Sequence, residues 1–363
     1  MNVKLIRIID KYFFSIFCLI IGLFSLLFPK KLKTRKILII KLWALGDSVL
    51  TLPMVNALKS KFKNSQIDIL CHKSNKEVYL GNKNINNIIE INLKNVLGLF
   101  KKYDLCFDTE PYLNISALIC WWVSSYSVGF SKQIRSILYQ KKIDFAEQSM
   151  AENYLDMARI VGAKQNIKES TSLDYSKEDK IFVDKIFKKN KISKNDFIIG
   201  LSVGVGKSAK SRMWPLERFS EFADKLVEKK KAKIIFIDSK ENKIYANKVK
   251  SMMKHKSFDF NGIFTIKHLF YLFKNVDIFI TNDSGLMHLA TNQGTKTIGL
   301  MGPSNPNWWK PYGKNGILIY HGKEVCPYAP CIISNKGIIP ECRFGKNNKC
   351  MKAITVEEVY KKI

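Results

Sequence analysis

The sequence predicts an α/β protein with two doubly wound halves, preceded by an apolar helix. Two observations support this fold class. Apolar runs typical of buried parallel strands alternate with helical patterns in two separate series, and a length of 363 residues is typical of two domains. Apolar residues make up 46% of the chain and charged residues 25%, which excludes a disordered chain, a collagen-like repeat and a polytopic membrane protein.

The N-terminal helix is predicted from an uncharged apolar run at residues 12–28 that stops at Pro29. A helix of these 17 residues would extend about 25 Å, at the short limit for crossing a bilayer. No small-residue cleavage site follows, as a signal peptide would require. One face of the helix carries a stripe of small residues: Ser15, Cys18, Gly22 and Ser25. The helix therefore either attaches the protein to a membrane or packs on the protein's own surface.

A basic cluster follows the apolar run, at residues 30–36. It would hold the rest of the chain on the cytoplasmic side of a membrane, whether the helix spans the bilayer or lies in its interface. The whole chain is also basic, with 60 Lys and Arg against 31 Asp and Glu and a formal net charge of +29. This excess indicates an anionic partner such as a membrane surface, a nucleic acid or a phosphorylated substrate, although a general lysine bias explains part of it.

The two α/β series lie on either side of a polar, lysine-rich stretch at residues 165–194, which we interpret as the interdomain passage. The first series has strand candidates at residues 36–42, 66–71, 88–91 and 104–107 and a helical pattern at residues 49–62. The second has strand candidates at residues 197–201, 233–237, 276–281 and 296–300 and helix candidates at residues 216–228, 241–253, 266–273 and 285–292. No residue-level repeat relates the two series.

These patterns predict a membrane-associating helix and basic cluster at residues 1–35, α/β domains at residues 36–180 and 195–350, and a terminal helix at residues 351–363. Ligands of doubly wound sheets lie at the carboxyl ends of the strands. A cleft between two such domains is the default place for a binding site. We therefore expect the functional residues at strand ends that face a shared cleft.

The first motif is KLWALGDSVLTLP, residues 41–53. Gly46 would permit a tight turn after the first strand. Asp47 then lies at the carboxyl end of that strand. Its carboxylate either caps the following helix or acts as a general base, and the spacing alone leaves both roles open.

The second motif is GLSVGVGKSAKSRMWPLERF, residues 200–219. Gly204 and Gly206 would let backbone amides approach a phosphate, and the cations Lys207, Lys210 and Arg212 would offset its charge. The motif is neither a P-loop nor a dinucleotide fingerprint. A flexible basic loop remains the alternative.

The third motif is TNDSGLMHLA, residues 281–290. Asp283 and Ser284 would cap a helix whose first turn contains Gly285 and reaches His288. Free N–H groups and the positive end of the helix dipole form an anion site at such a turn. His288 either contacts the same anion or is a core histidine. Glu241, which follows another strand, is a candidate acceptor for a ribose hydroxyl.

Four cysteines cluster near the C-terminus: Cys326, Cys331, Cys342 and Cys350. Their spacings lack the usual C-x2-C knuckle, although four soft ligands this close could bind zinc. Two disulfides or four reduced structural thiols are the other possibilities. The remaining cysteines lie in apolar stretches, which favours reduced core residues.

Taken together, the motifs resemble glycosyltransferase family 9, the heptosyltransferases of lipopolysaccharide core assembly. The segments that carry the resemblance are KILIIKLWALGDSVLTLPMVNALKSKF, YDLCFDTE, RMWPLERF and DIFITNDSGLMHLATNQGTKTIGLMGPSNP. They span residues 36–320 and keep the family's motif order. The resemblance implies a GT-B architecture of two Rossmann-like domains facing a cleft, with an acceptor domain at residues 36–180 and a nucleotide-sugar domain at residues 195–350.

The resemblance also implies an inverting transferase that uses no cofactor and no catalytic metal, with ADP-heptose as the usual donor. By motif, Asp47 corresponds to the family's candidate base. The residues that correspond to donor-binding positions are Gly204, Arg212, Glu241, Asp283, Ser284, Gly285 and His288. Arg212 stands where the family usually has lysine, which keeps the charge but changes the geometry of a phosphate contact.

We therefore expect a glycosyltransferase at the cytoplasmic face of the inner membrane, peripheral or anchored by its N-terminal helix. Its partners would be a nucleotide-sugar donor and a lipid-linked saccharide acceptor. Another nucleotide sugar on the same fold is one alternative. A dinucleotide-dependent oxidoreductase is another, although no GxGxxG follows the first strand. Nucleic acid is not expected as a partner, because RNA-type aromatic motifs are not evident.

Overall fold

The computed structural model describes residues 9–25, 31–164, 172–206, 210–333, 341–342 and 347–363. The chain divides into two compact units, Met1–Ile167 (unit 1) and Lys168–Ile363 (unit 2). Each unit contains one six-stranded parallel sheet with helices packed on it. The predicted α/β fold class is confirmed by these two sheets.

The sheet of unit 1 has the strand order β3-β2-β1-β4-β5-β6, which is that of a Rossmann fold. Its central strand, β1, pairs in parallel with both β2 and β4. Five of the six residues of β1 are buried, because helices cover the sheet. The strands are Lys36–Lys41 (β1), Gln66–Cys71 (β2), Asn87–Glu90 (β3), Tyr103–Asp108 (β4), Ser124–Phe130 (β5) and Lys141–Ile143 (β6).

The helices of unit 1 follow the strands at short intervals. They are Ser15–Ser25 (α1), Leu45–Leu50 (α2), Leu52–Lys61 (α3), Leu93–Gly98 (α4), Asn114–Val123 (α5) and Met150–Arg159 (α6). The single helix predicted at residues 49–62 is wrong, because Thr51 separates α2 from α3. Pro53 explains the break: it lacks the N–H that would continue α2, but it fits the first turn of a new helix.

The sheet of unit 2 has the order β9-β8-β7-β10-β11-β12, and all of its strand pairs are parallel. Counted from its own first strand, this is again the Rossmann order. The two units therefore repeat one topology although the sequence shows no repeat. The strands are Ile198–Ser202 (β7), Lys233–Phe236 (β8), Ser257–Asp259 (β9), Ile278–Asn282 (β10), Lys296–Met301 (β11) and Gly316–Tyr320 (β12).

The helices of unit 2 begin within the segment interpreted as the interdomain passage. They are Lys177–Lys189 (α7), Leu216–Lys230 (α8), Lys243–Met252 (α9), Ile266–Leu272 (α10), Gly285–Asn292 (α11), Pro306–Trp309 (α12), Gly322–Val325 (α13), Lys349–Lys352 (α14) and Val356–Tyr360 (α15). In α7, Asp184 accepts hydrogen bonds from Lys180 and from Tyr271 of α10, at 2.7 and 2.9 Å. The polar passage thus includes a helix that packs on unit 2.

The N-terminal apolar segment, predicted to be helical over residues 12–28, is described only up to Ser25. A π-helical turn at Asp10–Phe14 leads into α1, which has 11 residues, and residues 26–30 lie outside the described part. Within the described ranges, no helix is both long enough and apolar enough to cross a bilayer. Two residues of the predicted small-residue stripe, Cys18 and Gly22, are buried against the protein itself, and the side chain of Ser25 lies outside the described part.

Candidate active-site residues

Polar side chains gather at the same place in both sheets, beside the carboxyl ends of the two central strands. In a sheet of Rossmann order, the chain reverses its direction of winding between these strands, and ligands bind at that switch point. The switch point of unit 1 lies between β1 and β4, and that of unit 2 lies between β7 and β10. Each is described from its own residues.

The turn that follows β1 is strained at Ala44. Its φ of +64° lies on the side of backbone space that favours glycine. The prediction that Gly46 makes this turn is wrong, because Gly46 lies inside α2. Such strain persists where the surrounding structure holds it, commonly at functional sites.

Asp47 is the third residue of α2, whose N-cap residue is Ala44, so the predicted capping position is not the one observed. A carboxylate in the first turn is favoured by the helix dipole. The side chain of Asp47 is 23% exposed, and its Oδ2 lies 3.9 Å from Nζ of Lys41. Unit 1 therefore presents a partly accessible carboxylate beside a buried ammonium group.

Lys41 forms a buried ion pair with Glu110. The Lys41 side chain is 1% exposed, and its Nζ lies 3.1 Å from Oε1 of Glu110. Burial by itself lowers the pKa of Lys41, but electrostatic interactions, above all with the carboxylate of Glu110 and also with that of Asp47, outweigh burial and raise it. Lys41 therefore remains charged at neutral pH and keeps a positive charge next to Asp47.

Glu110 is held by the backbone of the turn that it supports. Its Oε1 accepts hydrogen bonds from the N–H groups of Leu42 and Trp43, at 2.7 and 3.3 Å. Arg135, which is fully buried, donates to the carbonyl of Glu110 and to Oδ2 of Asp108. These contacts fix the strained turn, and with it the start of α2 and Asp47.

In unit 2, Gly204 follows β7 and donates its N–H to Oδ2 of Asp238 at 3.2 Å. Asp238 also accepts a hydrogen bond from Nδ2 of Asn242 at 2.8 Å. A Cβ atom on Gly204 would lie 2.2 Å from the Asn242 side chain, so only glycine fits here. The Gly204 amide, predicted to face a phosphate, is therefore bonded to Asp238. Lys207 lies outside the described residues.

Arg212 and Asp283 form an ion pair near the end of β10. Nε of Arg212 lies 3.3 Å from Oδ2 of Asp283, and Ser304 donates a hydrogen bond to the same oxygen. Asp283 is buried and serves these two partners rather than capping α11. Nε of Arg212 has no aligned hydrogen bond among the described residues, which leaves donor capacity beside α11.

The N-terminus of α11 is the anion-binding feature predicted from the third motif. Ser284 is its N-cap residue, but the Ser284 side chain makes no capping hydrogen bond and lies 3.1 Å from Oγ1 of Thr281. Gly285 opens the helix. The first N–H groups of a helix lack intrahelical acceptors and carry the positive end of its dipole. This turn can therefore receive an anion.

His288 is the fourth residue of α11, and it is buried. Burial lowers its pKa to about 4, with Asp283 opposing and Arg212 reinforcing the shift. The imidazole is therefore neutral at pH 7. Its Nδ1 is buried and has no hydrogen-bond partner in the described part of the chain. Buried nitrogen atoms of this kind usually have a partner, so this one is available to a ligand.

The structure brings several of the predicted donor-site residues together. Arg212, Asp283 and His288 lie close enough to influence each other's charge. Gly204 joins them through Asn282, whose Nδ2 approaches the Gly204 carbonyl at 3.4 Å. Glu241 is exposed in the turn Lys240–Asn242 that follows β8.

The four C-terminal cysteines have free thiols and line one small cavity. Ser211 and Pro303 also line it, so the cavity adjoins the segments that carry Arg212 and Ser304. Burial raises the pKa of Cys350 to about 11. In the described residues, no group of three or more His, Cys, Asp or Glu side chains is placed to hold a metal ion.

Sequence reasoning missed Lys41, Glu110 and Arg135 as site residues. A signal existed for the first two, because Lys41 ends β1 and Glu110 follows β4, and both lie in the quoted motifs. Arg135 lies in a short 3-10 turn without a motif, and only the fold brings it to Asp108.

Known proteins resemble this chain along most of its length. It is 25% identical over 333 residues to lipooligosaccharide heptosyltransferase 2 of Campylobacter jejuni subsp. jejuni serotype O:6, covering 88% of this chain and 95% of that protein. A solved glycosyltransferase family 9 structure from Veillonella parvula has a TM-score of 0.76 at 22% identity, covering 91% of this chain and 96% of that chain. The E. coli ADP-heptose LPS heptosyltransferase II has a TM-score of 0.70 at 19% identity, covering 90% and 97%.

Two Rossmann-ordered sheets that match such structures along most of the chain define the fold class, the GT-B fold. The model of glycosyltransferase family 9 (heptosyltransferase) matches residues 95–331, and the chain belongs to this family. The resemblance identified from the motifs is confirmed. Heptosyl transfer in lipopolysaccharide core assembly is the activity that family membership supports.

Proposed function

We propose that this protein is an inverting heptosyltransferase that transfers heptose from ADP-heptose to a lipid-linked saccharide of the lipopolysaccharide core. Family membership supports the reaction type. The C. jejuni relative is named for lipooligosaccharide heptosyl transfer, and the E. coli structure is named for ADP-heptose. Those names motivate the choice of acceptor and donor for this chain.

The observation that carries the proposal is the carboxylate of Asp47, accessible and fixed at the switch point of unit 1. In the proposed reaction, an acceptor hydroxyl oxygen attacks the anomeric carbon of the donor. The bond from that carbon to the diphosphate oxygen breaks, and ADP leaves with the bonding electrons. Asp47 takes the hydroxyl proton as general base. Lys41 and Glu110 are positioning residues, because they hold the turn that carries Asp47.

The carboxylates described at the switch point of unit 1 support the proposed inversion. A single displacement needs one base, whereas retention through a covalent intermediate also needs a nucleophile. At this switch point, Asp108 is buried in an ion pair with Arg135, and Glu110 is buried in an ion pair with Lys41. Both are committed to structure, which leaves Asp47 for the reaction.

The donor diphosphate is proposed to lie at the start of α11 in unit 2. Arg212 and the first N–H groups of α11 would stabilise the negative charge that develops on the leaving ADP. His288, neutral and with an available Nδ1, would bond the donor as a polar group without adding charge. Ser284 and Gly285 shape the turn. Glu241, exposed after β8, is proposed to contact the donor nucleoside.

We also propose that the enzyme works at the cytoplasmic face of the inner membrane, where a lipid-linked acceptor would be presented. The basic residues that follow the apolar segment motivate this location, since the exposed Lys31, Lys33 and Arg35 can face anionic lipid.

The test is a transfer assay with purified full-length protein. A lipid-linked core acceptor that lacks heptose is incubated with ADP-heptose, an ADP-hexose, a UDP-hexose or a GDP-hexose. We expect the mass of one heptose to be added with ADP-heptose, and NMR to show the anomeric configuration inverted relative to the donor. Transfer of another sugar would overturn the donor assignment, and retained configuration would overturn the single displacement.

A further inference from the structure

The N-terminal helix α1 has two different faces. One face, formed by small residues, packs on unit 1, and the other is lined by large apolar side chains that nothing in the described structure covers. Apolar surface on this scale usually marks an interaction site. The question is therefore which partner covers the outer face.

The inner face is anchored by specific contacts with α5. The carboxylate of Asp10 is buried and accepts hydrogen bonds from the N–H groups of Asn114 and Ile115, at 3.0 and 2.9 Å. The N-cap residue of α5, Leu113, offers no side-chain cap of its own. Asp10 therefore caps a helix that lies far along the chain.

Close packing fixes the rest of α1. Cys18 is fully buried and directs its thiol to the carbonyl of Asn114. At Gly22, a Cβ atom would lie 2.2 Å from the side chain of Ile137, so a larger residue at this position would clash with that side chain. The segment is thus a rigid part of unit 1.

The outer face is strongly apolar. Its exposed side chains reach 67% exposure at Phe24. They are Ile16, Phe17, Leu19, Ile20, Leu23 and Phe24 in α1, together with Ile9, Tyr12 and Phe13 just before it. Lys11 lies over the ring of Tyr12 at 5.2 Å, and aromatic rings with neighbouring cations are favoured where a membrane meets water. This surface has the composition of an interfacial helix.

A group of basic residues follows the apolar segment closely in the sequence. Lys31, Lys33, Arg35 and Lys36 are all exposed. A second copy of this chain is a poor partner, because a two-fold interface would bring like-charged clusters toward each other. An anionic bilayer matches both the apolar face and the positive charge.

The geometry points to α1 as an in-plane membrane-docking helix, which lies along the surface of an anionic bilayer while it remains fixed to unit 1. One side of α1 is packed against unit 1 through Cys18 and Gly22, so only its outer face can contact lipid. Because Asp10 and Cys18 fix the helix to α5, docking orients unit 1 relative to the lipid. The role of docking in presenting the acceptor rests on the proposed function, whereas the binding of α1 to lipid does not.

The test compares the full-length protein with an outer-face variant, Ile16→Gln/Ile20→Gln/Phe24→Gln. Glutamine favours helix formation, and the three side chains are exposed, so the fold is retained and circular dichroism checks it. Binding is measured by co-sedimentation with vesicles of phosphatidylethanolamine and phosphatidylglycerol, and with vesicles of phosphatidylcholine alone. We expect the outer-face variant to bind the anionic vesicles at least about 100-fold more weakly than the wild type.

The matched control is Ile181→Gln/Ile244→Gln/Ile263→Gln, which removes three exposed isoleucines from unit 2 and should leave vesicle binding unchanged. A basic-cluster variant, Lys31→Gln/Lys33→Gln/Arg35→Gln, should lose most of the preference for anionic over neutral vesicles. Equal binding by the wild type and the outer-face variant would overturn the inference. A second result would also overturn it: the wild type is a dimer in solution and does not bind vesicles, and the outer-face variant is a monomer.

A soluble, delipidated acceptor separates this inference from the proposed function. The outer-face variant should transfer sugar to the soluble acceptor at the wild-type rate and lose transfer only to acceptor embedded in vesicles. If the wild type binds vesicles but transfers no heptose to either acceptor, the proposed function fails and the docking helix stands. If transfer to embedded acceptor is the same in both proteins, the docking helix has no role in presenting the substrate and the inference fails.

Discussion

The two switch points share one topology and each contains an ion pair, but they differ in how completely their polar groups are paired. In unit 1, Lys41 and Glu110 satisfy each other inside the protein, and Asp47 is partly exposed. In unit 2, Nδ1 of His288 is buried without a hydrogen-bond partner in the described residues, close to the ion pair of Arg212 and Asp283. The first arrangement positions one group accurately, whereas the second is ready for a ligand. Substitutions in unit 1 should therefore affect stability and turnover, and those in unit 2 should affect donor binding.

The largest effect is expected at Asp47. Replacing it by asparagine keeps its size but removes the proposed base, so turnover should fall on the order of 10²–10⁴-fold. The affinity for ADP should stay at the wild-type value, because the anion site lies in unit 2. Steady-state kinetics and calorimetry measure the two quantities. Asp144→Asn, which alters an exposed carboxylate of the same unit, is the control. Near-wild-type turnover of Asp47→Asn would leave Asp47 a purely structural role in α2.

The next largest effect is expected on stability in unit 1. Lys41→Met leaves Glu110 buried without its partner, which should lower the free energy of unfolding by about 3–5 kcal/mol. Lys76→Met breaks the exposed pair with Glu90 and should cost about 0–1 kcal/mol. Urea unfolding measures the free energy of unfolding of both variants and of the wild type.

The double variant Lys41→Met/Glu110→Gln sharpens this prediction. Glutamine can still accept the hydrogen bond from the Leu42 N–H, and neither buried charge remains. We expect it to recover most of the stability lost in Lys41→Met. If the double variant is less stable than the single one, the cost does not come from an unpaired carboxylate.

In unit 2, Arg212→Met should weaken ADP binding about 10–100-fold, because a charge-assisted contact to phosphate is lost. Arg212→Lys should retain most of the affinity, since the charge remains. Isothermal titration calorimetry with ADP measures both variants. Lys229→Met, which removes an exposed charge at the end of α8, is the control. Unchanged affinity in Arg212→Met would place the diphosphate elsewhere.

The smallest expected effect is a pH dependence that comes from His288. The ordinary pKa of histidine is 6.5, and the folded protein lowers that of His288 to about 4. Between these values the unfolded chain binds more protons, so stability falls as the pH drops from about 6.5 toward 4. By pH 5 the loss should be on the order of 1–2 kcal/mol. Urea unfolding of the wild type and of His288→Gln at pH 7 and pH 5 tests this prediction. If the two proteins differ in free energy of unfolding by the same amount at both pH values, the prediction is contradicted.

The central strands of both sheets could be predicted from sequence because they are continuously apolar. The predicted strand at residues 66–71 matches β2 at both ends. The outer strands β6 and β9 have only three residues each, KKI and SFD, and carry no apolar run. Such strands form because the adjacent strand of the sheet has an unpaired edge. This depends on the folded structure and not on the local sequence.

The site was predicted only in part for a related reason. Asp47, Ser284 and His288 lie in local strand–turn–helix motifs, and the sequence indicates such turns. The strain at Ala44 has no sequence signal, because glycine is the residue that usually adopts a positive φ. The ion pair of Lys41 and Glu110 depends on two strands being neighbours in the sheet, which spacing along the chain does not reveal.

The contact between Asp10 and α5 has a consequence for synthesis of the chain. Asp10 and Asn114 are separated by 104 positions. At about 5–20 residues per second, the ribosome makes the apolar segment roughly 5–20 s before its acceptor helix exists. During that interval the segment has no native partner and is open to capture by a chaperone or by lipid. The apolar segment can therefore take its native place on unit 1 only after α5 has been made.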